Sequence, residues 1–212
     1  MGHHPKKAAQ EGTRADDFVR IASALFAKRG FDRTSVREIA QALGVASGTL
    51  FYHFDSKEDL LEAIISKGIA DGYRKAADAL ASSPLGPLSR FLTLASAHIE
   101  VVHGELRHVH HVWIREWDRL TPKARDRMRP AVQQYRDLLD GVLVELQDAG
   151  HLKSEPSMTR HLMLPALNWT TSWSRVSTKA ARRELARRLC AASLNITPVD
   201  FNAMMQAERE LD

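Results

Sequence analysis

Between Thr34 and Phe54, in the run TSVREIAQALGVASGTLFYHF, two helix starts and one helix stop fall so close together that few folds can accommodate them. Val36, Ile39, Ala40 and Leu43 lie at offsets 0, 3, 4 and 7, one face of a short helix. Ser35 with Glu38 three residues on is a capping box, which starts that helix near Val36. Gly44 ends it, because a tight turn between packed helices needs a residue that tolerates positive φ. Ser47 then caps a second short helix, whose inward side chains are expected to be Leu50, Phe51 and Phe54. Two short helices joined by a turn of about four residues containing Gly make a helix-turn-helix, whose second helix fits the DNA major groove.

This run resembles the DNA-binding domain of the TetR family of bacterial transcriptional regulators. That domain carries a pattern close to T-x-x-x-x-I-A-x-x-x-G-V-x-x-G-T-L-Y-x-H-F-x-x-K-E-x-L. The chain matches it with Thr34, Ile39, Ala40, Gly44, Val45, Gly48, Thr49, Leu50, His53, Phe54, Lys57, Glu58 and Leu60. It departs at Phe51, which stands where the pattern has Tyr and cannot donate a hydroxyl to a phosphate. The match covers roughly residues 13–60, about a quarter of the chain, and the rest agrees only in helical character and length.

At 212 residues the chain is one large domain or two small ones, and it can bury a substantial core. No apolar run reaches the roughly 18 residues a membrane span needs, and no signal peptide is visible. One cysteine, Cys190, excludes an intrachain disulfide and fits a reducing cytoplasm. A soluble, cytoplasmic protein is expected. The sequence pI near 9.4 invites a nucleic-acid reading, but the basic excess lies elsewhere. Residues 1–60 hold nine Lys/Arg against eight Asp/Glu, whereas Arg107 to Arg136 holds eight against three. Arg175 to Cys190 holds six against one. The motif, not the charge, carries the DNA assignment.

The remaining chain carries helical periodicity and no strand signal. Phe18, Ile21, Ala22, Leu25 and Phe26 predict a helix capped by Thr13 and stopped by Gly30. Ser56 with Asp59 starts another, which runs through Leu60, Ile64 and Ile69 until Ser82-Ser83-Pro84-Leu85-Gly86-Pro87 breaks it. Further helices are predicted from Leu88 to Gly104, from Leu106 to Trp117, and from Thr121-Pro122 to Gly150 with a kink or a broken first turn at Pro130. Another carries Leu162, Ala166, Trp169 and Trp173 after Pro156, with Pro165 as a second kink, and two more span Lys179 to Asn195 and follow Thr197-Pro198. The expected architecture is all-α: residues 1–12 a flexible polar and basic arm, 13–56 a three-helix DNA-binding domain, and 57–212 a larger helical domain. The resemblance implies that this larger domain both binds an effector and dimerises.

In the reader, Ser47, Thr49, Tyr52 and His53 are the polar residues expected to face the groove, with Gly48 allowing close approach of the backbone. The resemblance adds Arg37 as a base or phosphate contact, and Thr34 and Lys57 as phosphate contacts. In the larger domain Trp113 and Trp117 are i,i+4 neighbours, as are Trp169 and Trp173. Such rigid apolar surfaces suit the walls of a ligand pocket, or equally a core or a dimer face. Arg115, Asn168, His98 and Arg90 are polar groups able to orient a ligand. Leu185, Leu189 and Ala192 form one stripe expected to lie in a two-fold dimer interface. His103, His108, His110 and His111 cluster, but no Cys or placed carboxylate completes a tetrahedral set, so no metal and no cofactor is expected. No GxSxG, P-loop, HExxH or dinucleotide signature is present, which argues against an enzyme.

The function expected is therefore a ligand-responsive transcriptional repressor, a homodimer on a palindromic double-stranded operator, released by a small apolar or amphipathic effector. The rivals are a DNA-binding regulator without a small-molecule effector, gated by a protein partner, and an enzyme carrying a borrowed reader.

Overall fold

A computed structural model describes the chain over residues 5–82 and 86–210, and every regular element in it is helical. In order these are α1 Pro5–Arg29, α2 Val36–Leu43, a 3₁₀ turn Ser47–Tyr52, α3 Lys57–Ala81, α4 Pro87–His103 and α5 Arg107–Glu116. A short 3₁₀ turn Trp117–Arg119 leads to α6 Pro122–Asp148, α7 Pro156–Asn168, α8 Thr170–Trp173, α9 Lys179–Ser193 and α10 Pro198–Glu210. Among the described residues no helix is long and apolar enough to cross a membrane.

Several helix starts follow from local chemistry. Ser35 Oγ accepts the Glu38 amide at 3.2 Å while Glu38 Oε2 accepts the Ser35 amide at 2.8 Å, the two halves of a capping box. Ser56 accepts the Asp59 amide, Thr121 that of Ala124, Thr178 that of Ala181 and Thr197 that of Asp200. α1 differs: it begins at Pro5, ahead of Thr13, because Ala8, Ala9, Gln10 and Glu11 are strong helix formers. α6 runs through Pro130 as one helix, whereas the helix containing Pro165 ends at Asn168 and resumes as α8. Of the breaker after α3, Ser83, Pro84 and Leu85 lie outside the described residues, as do residues 1–4 of the expected arm.

The described residues form two compact units. The first takes in the chain up to Ile69 together with His108–Met128. Its core gathers Phe18, Ala22 and Phe26 of α1, Ile39 and Ala40 of α2, Leu50 of the 3₁₀ turn, and Leu60, Leu61, Ile64 and Ile65 of α3. α5 passes α3 so closely that a Cβ on Gly68 would stand 2.7 Å from Val109 Cγ1, a branched and stiff neighbour. The loop after α1 is tied to α5: Glu116, itself buried, accepts the Phe31 amide at 3.3 Å, and Arg119 joins Glu116 to Asp32.

The second unit, Ala70–Arg107 with the chain from Arg129 onward, is built around α4, whose Leu88, Phe91, Leu92, Leu94, Ala95 and Ile99 are all buried. α4 packs against α9, and also against α7, α8 and α10. Its N-terminus has no side-chain cap of its own at Gly86. Glu208 of α10 supplies one, accepting the Leu88 and Ser89 amides at 2.9 and 3.0 Å and opposing the positive end of the helix dipole. Cys190 is sealed in this core, its Sγ 3.9 Å from the Phe91 carbonyl, and burial pushes the thiol pKa up.

Candidate nucleic-acid interface and effector region

The reader turn departs from the sequence reading in its period and in its start, where Ala46 and not Ser47 stands at the N-cap and no side chain caps it. Gly44 takes φ +71, the left-handed conformation that the αL C-cap requires, and its amide closes α2. The following segment is a 3₁₀ helix of six residues, not an α-helix, and Leu50 is its single buried residue. At three residues per turn rather than 3.6, the neighbour of Leu50 rotates away from the core. Phe51, expected to point inward, is 55% exposed, and Tyr52 beside it is 87% exposed. Phe54 does turn inward, meeting the Phe18 ring edge to face at 6.4 Å.

The eight residues expected at the DNA separate into two sets. Arg37, Ser47, Gly48 and Tyr52 are exposed, Thr49 is half-buried, and these share the α2–turn surface with Phe51. A Cβ on Gly48 would meet nothing within 4 Å, so its backbone is open to an approaching ligand. Thr34 is fully buried and its hydroxyl is donated to the Gly30 carbonyl at 2.9 Å, an inward role rather than a phosphate contact. His53 packs its ring 5.9 Å from that of Phe18. Lys57 donates from Nζ to the carbonyls of Phe31 and Thr34 at 2.9 and 3.0 Å, with the ammonium 4.0 Å from the centre of the Phe31 ring. Two of its three donors are thus spent holding the loop that precedes α2.

Lys57→Ala is expected to leave both carbonyls short of a donor and to cost about 1–3 kcal/mol of stability. A urea melt would show it as a lowered midpoint. An unchanged midpoint, with a flatter salt dependence of DNA binding, would return Lys57 to the phosphate-contacting role.

The tryptophans do not converge inside either unit. Trp113 and Trp117 belong to the first, both half-buried; Trp113 meets the His110 ring nearly at right angles, 6.0 Å away, and Arg115 is exposed. Trp169 and Trp173 belong to the second and are 49% and 59% exposed, so they are surface groups of the chain rather than walls of a cavity in it. Period alone places them on one face; it does not say whether that face is covered. Met158, Leu162 and Pro165 are exposed as well, and with Trp169 they stand at helical spacing on one side of α7.

His98 and Asn168 are brought together. His98 Nε2 donates to Asn168 Oδ1 at 2.9 Å, so in a neutral imidazole Nδ1 accepts, and the Tyr135 hydroxyl 2.6 Å away supplies the proton. Burial holds that phenol well above its usual pKa, consistent with its role as donor. This chain of hydrogen bonds runs through the packed core of the second unit. Arg90 pairs with Glu145 at 2.7 Å.

On α9 the expected stripe divides. Leu185 is buried within its own unit, Leu189 packs partly against the same core, and only Ala192 is exposed. Leu185 is thus a core residue, because the apolar face of α9 is already covered by α4. Among the described residues no three His, Cys, Asp or Glu side chains converge as a metal set would.

The second unit also contains a feature that no periodicity announces: an open cleft of about 530 Å³ between α3, α4 and the start of α9. Its floor is Ala79, Leu92 and Ala97, and its rim carries Lys75, Lys179, Arg182 and Arg183 with a single carboxylate, Glu100. Those cations come from segments about a hundred residues apart, and on α9 alone they read as a solvated face.

Residues 19–64 match the family model described as bacterial regulatory proteins, tetR family, and residues 84–197 match that of the tetracyclin repressor-like C-terminal domain. The HTH-type transcriptional repressor KstR2 of Mycolicibacterium smegmatis is 32% identical over 105 residues, 48% of this chain and 51% of that protein. The chain spans about half the length of the curated relatives it matches. The crystal structure of the superantigen PfiT is similar with TM-score 0.70 and 27% identity, over 84% of this chain and 94% of that one. AibR in complex with isovaleryl coenzyme A and operator DNA shares the fold with TM-score 0.76 at 20% identity, over 87% and 98% of the two chains.

Proposed function

Because the chain belongs to the TetR family of bacterial regulatory proteins, we propose that it is a non-catalytic, cytoplasmic transcriptional repressor that binds operator DNA as a homodimer and releases it when a small amphipathic molecule binds. The observation that carries this reading is the reader surface. A capped α2, a left-handed Gly44 and a 3₁₀ turn anchored by Leu50 present Arg37, Ser47, Gly48, Thr49 and Tyr52 on one open face. Behind that face Thr34, His53 and Lys57 hold the loop and turn in place. Residues 13–56 act as the reader and 57–212 as the ligand-binding and dimerising part.

The dimer face we assign to the exposed side of α7 and α8, Met158, Leu162, Trp169 and Trp173, flanked by Ala192. Two readers engage one palindrome when their centres stand about 34–36 Å apart, one turn of DNA. An effector weakens that engagement only by its preference for the state in which the spacing is wrong. KstR2 is named a repressor, and AibR was captured with isovaleryl coenzyme A and operator DNA, which supports a small-molecule effector over gating by a protein partner.

The test is selection of bound sequences from random duplexes, followed by footprinting. A protected palindrome is expected. Tyr52→Ala and Arg37→Ala should each weaken its binding by about 1 kcal/mol or more while the fold survives, since each removes one or two backbone or base contacts. Equal affinity for every duplex would sink the proposal.

A further inference from the structure

We propose that the basic cleft between α3, α4 and α9 is the effector site, and that it takes an amphipathic polyanion: a phosphate-bearing head on the rim and an apolar tail on the floor. This rests on the regulatory reading above and names the ligand's place and chemical class within it.

Charge makes the first argument. The single carboxylate of the lining, Glu100, is already matched, since Arg182 Nη1 donates to it at 2.7 Å. Lys75, Lys179 and Arg183 are left facing the same concavity, and the lining holds no second carboxylate to pair with them. Three clustered cations repel one another, and a simple carboxylate would neutralise one of them. A head carrying several negative charges matches the set.

The second argument is independent of charge. Ser96 Oγ and Arg182 Nε are buried without a hydrogen-bond partner, and both residues line this cleft. Buried polar groups are nearly always satisfied, so an orphaned hydroxyl and an orphaned guanidinium N–H beside one cavity indicate where a ligand's acceptors belong. Arg182 is also held ready: its Nη1 is on Glu100 and its Nη2 donates to the Ser177 carbonyl at 3.0 Å. A guanidinium already immobilised loses little entropy on binding.

Shape supplies the third. A duplex backbone presents only phosphates and sugars, and would leave the floor of Ala79, Leu92 and Ala97 uncovered. A cavity of this volume lies in the range that small ligands occupy. An acyl or aryl tail covers that floor.

Calorimetry on the full chain with octanoyl-coenzyme A, coenzyme A and octanoate reads the proposal directly. Octanoyl-coenzyme A is expected to bind saturably, coenzyme A about ten-fold more weakly, and octanoate without measurable heat. Lys75→Glu and Arg183→Glu, both at accessible positions and checked for fold by circular dichroism, should each lower octanoyl-coenzyme A affinity by about ten-fold or more. The proposal is overturned if neither thioester nor free coenzyme A binds, if octanoate binds as tightly as its thioester, or if affinity is unchanged in both variants. It also falls if duplex DNA displaces the thioester and both variants lose DNA binding in proportion, which would assign the cleft to nucleic acid. Variants that lose the thioester but bind the selected operator like the parent chain support the cleft. Thioester binding that survives in a chain without sequence-selective DNA binding would refute the regulatory reading and keep the site.

Discussion

Leu162→Glu is expected to turn the proposed homodimer into monomers and to lower operator affinity by about a hundred-fold or more. Leu162 is 70% exposed on α7, beside Met158, Trp169 and Trp173, an apolar stripe that nothing among the described residues covers. Two-fold packing of such a stripe would set each introduced carboxylate against apolar surface or its symmetry mate, where an unpaired charge is costly. A monomer then loses the tethering that makes the second half-site contact intramolecular, a gain of about 10²–10⁴. Sedimentation would report the mass and a gel shift the affinity. A variant that still sediments as a dimer would move the interface elsewhere. Leu185 would make a poor probe of the same question, because it is buried in its own unit and its truncation would damage the core first.

Leu50→Ala is expected to remove the reader without removing the second unit. Truncating a fully buried leucine costs about 2–5 kcal/mol, and Leu50 is the only buried residue of its 3₁₀ turn. With that anchor gone, the turn has Thr49, His53 and Phe54 left as partial contacts. Hydrogen exchange should accelerate over residues 36–54 and stay slow in α4 and α9, whose core contains no residue of the reader. DNA binding should be lost. Unchanged protection over 36–54 would show that the turn does not depend on Leu50.

What can be read from the sequence is local. Ser35 with Glu38, Ser56 with Asp59, Thr121 and Thr197 each act within one helical turn, and each cap forms where the spacing puts it. Phe51 escapes such a reading because an α-helical period of 3.6 does not hold in a segment that winds at about three residues per turn. Thr34 and Lys57 match a pattern, but a pattern does not say that one is buried and the other spent on two carbonyls. Trp169 and Trp173 are both exposed, and their spacing could not say so, because whether a face is covered depends on elements far away in the chain. The basic cleft lies at the limit of this kind of reading. Its cations come from α3 and α9, and only tertiary packing makes them neighbours.

The sealed thiol has a practical consequence. Cys190 is the single cysteine of the chain, wholly buried and held in its neutral form, so maleimides and spin labels should pass it by under native conditions. A cysteine introduced at an exposed position such as Tyr52 would be the sole reactive thiol, with no background residue to remove. In a two-fold assembly that one substitution places one label per protomer, a symmetric pair of markers on the two readers. The separation between them, and its distribution with and without a candidate effector, then becomes a quantity that pulsed dipolar spectroscopy can measure in solution.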